Sequence, residues 1–111
     1  MPRENEINRN WVVEAITNPV LGSGGSLVVT SSRLGIVESA YVAGVSGQAT
    51  GALPIVPEVA QTQLYPGGSL SATLPNGQFV LTVNQISGGT LVPAAAGTLS
   101  GVTIFVLEHG N

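Results

Sequence analysis

Dense punctuation by glycine and proline sets the first limit on this chain: whatever it builds must consist of short elements joined by turns. The 111 residues include 15 glycines and 7 prolines, about a fifth of the chain, against roughly 12% in ordinary proteins. The residues between them are mostly Val, Leu, Ile and Ala, and stiff β-branched side chains fit a pleated, half-buried surface better than a helix. Strands are therefore expected throughout. The length is that of one domain with a single core.

Charge is scarce. Asp, Glu, Lys and Arg make up 8% of the residues, with no Lys and no Asp, where a soluble domain carries about 25%. Arg3, Glu4, Glu6 and Arg9 cancel within the first ten residues, and the rest of the chain holds only Glu14, Arg33, Glu38, Glu58 and Glu108. Surface charge keeps free monomers apart, so part of this surface is expected to be covered by copies of the chain or by a larger assembly. A net charge of −3 argues against nucleic acid, whose phosphates call for clusters of Lys and Arg. With no cysteine, disulfides, thiolate nucleophiles and Cys-based zinc sites are excluded. No signal peptide and no membrane span are expected: the start is polar, and the longest apolar run, Val102 to Leu107, falls far short of the roughly 20 residues a span requires.

Along the chain, residues 1–10 read as a polar N-terminal arm and residues 11–111 as a single β domain. Trp11 to Ile16 is the first expected strand, broken by Asn18-Pro19 and the glycine cluster after Leu21. Ser26 to Thr30 and Gly35 to Val45 follow as strands, with Ser31-Ser32-Arg33 as the turn between them. Residues 46–68 are looser, and the prolines there confine any strand, such as an extended piece over Leu53 to Val56, to a sheet edge. Ser69 to Leu74 alternates apolar and polar side chains, and Gln78 to Val83 runs back after Pro75-Asn76-Gly77. This predicts a β-hairpin closed by a type I′ Asn-Gly turn, with Leu70, Ala72, Leu74, Phe79, Leu81 and Val83 facing the core. The last strand, Val102 to Glu108, is apolar on both faces and is expected to be central or covered on both sides. Gly24-Gly-Ser-Leu27, Gly67-Gly-Ser-Leu70 and Gly88-Gly-Thr-Leu91, with an echo at Gly97-Thr-Leu99, read as glycine turns feeding strands rather than as a true repeat. The expected fold is all-β: a single compact β-sandwich or partly open, jelly-roll-like barrel of about seven or eight short strands, with an extended N-terminal arm.

Catalytic chemistry finds little to work with. His109 is the only histidine and neighbours Glu108, but adjacent strand residues point to opposite faces, so the two do not converge on an ion. No metal and no cofactor are predicted. Serine is abundant, yet a nucleophilic serine needs a base and an orienting group, and Gly44-Val-Ser46-Gly47 lacks the spacing of a nucleophile elbow. Gly22-Ser-Gly24-Gly25 leads into a strand rather than the helix a phosphate loop requires. Paired carboxylates would have to be glutamates, and no two in the body are close in sequence. The chain reads as a non-enzyme.

Trp11, Tyr41 and Tyr65 remain as binding aromatics, since rigid rings supply contact area at low entropic cost. Trp11 stands where arm meets body, so it joins Arg3, Ile7 and Arg9 of the arm as expected partner-binding residues. The polar start, the Gly/Val/Ala/Ser/Thr-rich body, the extended Gln48 to Pro54 segment and the apolar closing strand Val102 to Leu107 together resemble the small β-domain virion proteins of tailed phages, capsid decoration (cement) proteins in particular. That resemblance implies a homotrimer that binds the major capsid protein on the shell surface, made in the host cytoplasm and residing in the virion. The competing expectation is a carbohydrate- or receptor-binding β module of a phage tail or cell surface, with Trp11, Tyr41 and Tyr65 around one groove.

Overall fold

A computed structural model describes residues 10–62 and 74–111. Within them the chain forms strands β1 (Asn10–Thr17), β2 (Ser26–Thr30), β3 (Val37–Ser46), β4 (Ile55–Gln61), β5 (Gln78–Ser87), β6 (Thr90–Pro93) and β7 (Thr103–Gly110). All pairings are antiparallel. Sheet I has the order β1-β7-β3, and sheet II the order β2-β5-β4 with β6 also on β5. Two separate sheets packed face to face make a β-sandwich rather than a closed barrel.

The last strand in sequence takes the centre of sheet I, as its two apolar faces predict. β7 pairs along its length with β1 on one side and β3 on the other. Ile104, Val106 and Glu108 point inward and are fully buried, while Phe105, Leu107 and His109 point out and are half-buried. In sheet II, Phe79, Leu81 and Val83 supply the inward face of β5 with no solvent exposure, as expected of that stripe. Together with Leu21, Val29, Leu34, Val37 and Leu99 these residues form one core between the sheets.

Turn chemistry departs from expectation at one place. Both edges of β5 are occupied over residues 80–82, by β2 on one side and β4 on the other, so Val80 to Thr82 pair with strands distant in sequence instead of with a hairpin partner. Residues 69–73 lie outside the described residues. The turn before β5 is also not type I′. Gln78 N–H donates to Pro75 O at 3.3 Å, and Gly77 has φ +83° while Asn76 does not have positive φ, the signature of a type II turn. A type I′ hairpin does occur further on. Gly88 and Gly89, with φ +59° and +80°, join β5 to β6 with Ser87 opposite Thr90.

Other breaks fall where the sequence places them. Asn18 ends β1 in the left-handed region at φ +51°; its N–H donates to Val102 O at 2.8 Å and its Oδ1 accepts the Gly101 N–H at 2.5 Å. A short 3-10 turn, Ser23–Gly25, leads into β2, so two of the glycine motifs do feed strands, whereas Gly97 to Leu99 lies in a turn. The motif at Gly67 lies outside the described residues. Proline is confined to an edge as argued: Pro57 sits in β4, which among the described residues pairs only with β5. The strand there is longer than the extended piece expected, because Val59 adds an inward-facing residue that packs on the core.

Candidate interaction face and a buried carboxyl cluster

The outer face of sheet I is built by strand alternation. Val13, Leu107 and Tyr41 form one row across β1, β7 and β3, and Trp11, His109 and Ser39 form the next. Trp11 is 57%, Val13 50% and Tyr41 57% exposed. Trp11 stacks on His109 with ring centroids 4.4 Å apart and planes tilted by 32°, and Glu38 Oε1 lies 3.9 Å from His109 Nδ1 on the other side. Three strands spaced ~4.8 Å apart and eight residues long present roughly 14 by 26 Å of surface. Of the residues expected to bind partners, Trp11 and Tyr41 are thus brought onto one face; Arg3, Ile7, Arg9 and Tyr65 lie outside the described residues.

This face is flat. A cleft of about 50 Å³ opens elsewhere, between residues 48–55 and the turn at 98–102, and is lined by Gln48, Leu53, Gln85 and Leu99 among others. Small-molecule sites run from about 300 Å³ upward, and no aromatic residue lines this cleft.

His109 and Glu108 point to opposite faces of sheet I, as alternation requires, and Glu108 meets a different set of partners inside. It is fully buried, opposite Val12 on β1 and Ala40 on β3. Ser31 Oγ donates to Glu108 Oε1 at 2.7 Å, while the same Oγ accepts the N–H groups of Arg33 and Leu34 at 3.2 and 3.0 Å. Glu14 also faces inward, one inward-facing position further along β1 than Val12. Its two oxygens accept from Ser32 N–H at 3.1 Å and Ser32 Oγ at 2.9 Å. The turn expected at Ser31-Ser32-Arg33 is therefore a polar clasp, held against sheet I by two carboxyl groups. The turn before β5 supports it from the far side, since Ser31 N–H donates to Gly77 O at 2.8 Å.

Glu108 Oε2 is buried with no hydrogen-bond partner. A buried acceptor left unpaired costs about 1–3 kcal/mol, and more when charged. Burial accordingly raises the Glu108 pKa above the ordinary carboxylate value; the Ser31 hydrogen bond pulls it down, and Glu14 pushes it up, both by its charge and as the acceptor a protonated Glu108 would face. Sequence reasoning misses this pair because 94 positions separate the two glutamates, and only the placement of β7 beside β1 unites them. A signal was present in the one acidic residue, Glu108, within the apolar closing strand.

Among the described residues no cluster of three or more His, Asp or Glu could hold a metal ion, and no helix is long and apolar enough to cross a membrane. No protein-family model, curated protein or solved structure matches the chain.

Proposed function

We propose that this chain is a structural subunit of a larger assembly, in kind a capsid decoration protein, and that the outer face of sheet I is one of its docking surfaces. The observation that carries the reading is the exposed apolar face bearing Trp11, Val13 and Tyr41 on a sheet whose opposite face is already committed to the core. The largest exposed apolar patch of a monomer, typically about 300–600 Å², is often functional, and aromatic residues are enriched in protein contacts. A face of this size supplies about half of the ~800 Å² that each partner contributes to a standard interface. It suits one contact among several, as in a trimer that also grips a shell, better than the sole contact of a tight dimer. The shortage of charge across residues 11–111 supports the same reading. A sugar-binding module finds less support, because the exposed Trp11 and Tyr41 lie on the outer face of sheet I and no aromatic residue lines the cleft.

The purified chain is expected to form trimers, or to precipitate without its partner, when its mass is followed by light scattering. Replacing both Trp11 and Tyr41 by Ser is expected to convert it to a soluble monomer that melts within a few °C of the parent, since exposed substitutions usually change stability by only about 0.5 kcal/mol. A wild-type protein that stays a monodisperse monomer at every concentration would sink the proposal.

A further inference from the structure

We infer that Glu14 and Glu108 share a single proton, and that this proton holds the turn of residues 31–34 and the edge strand β1 against the central strand β7. The hydrogen inventory leads there. Ser31 Oγ accepts two backbone N–H groups, so its own hydrogen goes to Glu108 Oε1. Ser32 commits its N–H and its hydroxyl to the two oxygens of Glu14. Glu108 Oε2 is left buried with no donor. A proton on that oxygen turns an unpaired acceptor into a donor, and Glu14, which faces inward on the neighbouring strand one inward position away and acts electrostatically on Glu108, is the acceptor available to it. The result is one continuous chain of hydrogen bonds from the turn through β7 and β1 back to the turn.

The charged groups facing Glu108 are few. Glu14 on β1 raises its proton affinity and Arg33 in the turn lowers it, while burial outweighs both. His109 and Glu38 meet each other on the outer face of sheet I. Loss of the proton leaves two carboxylates facing each other, one of them fully buried. Glu14 is only partly buried and sits on an edge strand, so it is the group free to move to solvent, and Ser32 loses its acceptor when it does.

The sign follows from linkage. An acid whose pKa is raised in the fold binds more protons in the native than in the unfolded state. Its stabilising contribution is complete below the ordinary carboxylate pKa and is lost as pH rises through the raised one. The clasp is therefore tight in mild acid and loosens toward neutral and alkaline pH, opposite to an ordinary salt bridge of a carboxylate.

Amide hydrogen exchange of the full chain tests this. Protection factors of Ser32 and Leu34, corrected for the intrinsic base-catalysed rate, are expected to fall severalfold as the pH rises from about 4 to about 8, the direction that a raised carboxyl pKa dictates. Glu108→Gln places an amide donor where the proton would be, so its protection at these sites is expected to stay constant over the same range. Constant wild-type protection, or an equal fall in Glu108→Gln, overturns the proposal. Should that variant not fold, the carbon-13 resonance of the wild-type Glu108 carboxyl is decisive. Its midpoint is expected above the ordinary glutamate value of about 4.3 and is expected to drop in Glu14→Gln; an ordinary midpoint, or one indifferent to Glu14, contradicts a shared proton.

Discussion

Phe79→Ala is expected to lower the melting temperature by about 15–30 °C. Phe79 has no solvent exposure and lies on the inward face of β5 opposite Val29 of β2, within the single core that both sheets share. Truncating a buried phenylalanine costs about 3–5 kcal/mol through lost transfer energy and the cavity left behind. A domain of this size holds about 5–15 kcal/mol in all, and each kcal/mol is worth about 4–8 °C. No disulfide stands in reserve, because the chain has no cysteine. A circular-dichroism melt reads the shift, and Phe79→Leu, which keeps most of the volume, is expected to cost less than about 1.5 kcal/mol. Equal melting of the alanine variant and the wild type would mean that β5 does not carry the core.

Gly47→Ala is expected to be a damaging change outside the core, at about 2–4 kcal/mol. Gly47 follows β3 with φ +83°, where an alanine pays about 1–2 kcal/mol for the left-handed backbone. A Cβ there also runs into the carbonyl oxygen of Gly101, and forcing bulk into a packed contact adds about 1–3 kcal/mol. Gly101 belongs to the corner where Asn18 binds both Gly101 N–H and Val102 O, so a shift there strains the ends of β1, β3 and β7 together. Gly51 provides the control. Its φ of +84° is nearly the same, but nothing lies within 4 Å of its Cβ position, so Gly51→Ala is expected to cost the backbone part alone. Denaturant unfolding of the two variants measures the difference, and equal costs would show that the Gly47–Gly101 approach is slack.

The features legible in the sequence were those set by local chemistry. β2 spans Ser26–Thr30 as its sequence predicts, Pro57 of β4 lies on an edge of sheet II among the described residues, and a closing strand apolar on both faces lies at the centre of a sheet. What the sequence hid was pairing between distant segments. Asn76-Gly77 reads locally as a hairpin, yet β2 and β4 take both edges of β5, and long-range register overrides the preference of a dipeptide. The type I′ turn went to Gly88-Gly89, where the segments on either side are free to pair with each other. Alternation in β7 correctly separated Glu108 from His109, but the inward partner of Glu108 comes from the other end of the chain. The exposed face was half legible: the aromatics could be named, but that Trp11 and Tyr41 share a surface depends on β7 lying between their strands.

That surface has a built-in reporter, because Trp11 is the only tryptophan and is 57% exposed in the single chain. Its fluorescence and its quenching by acrylamide, followed across a dilution series alongside the scattered-light mass, test the central claim most directly. As the chain assembles, Trp11 emission is expected to move to shorter wavelengths and its quenching to fall, with both changes reversing on dilution. Assembly with Trp11 as open to acrylamide as in the monomer would show that another surface holds the copies together, and would contradict the role assigned to the outer face of sheet I.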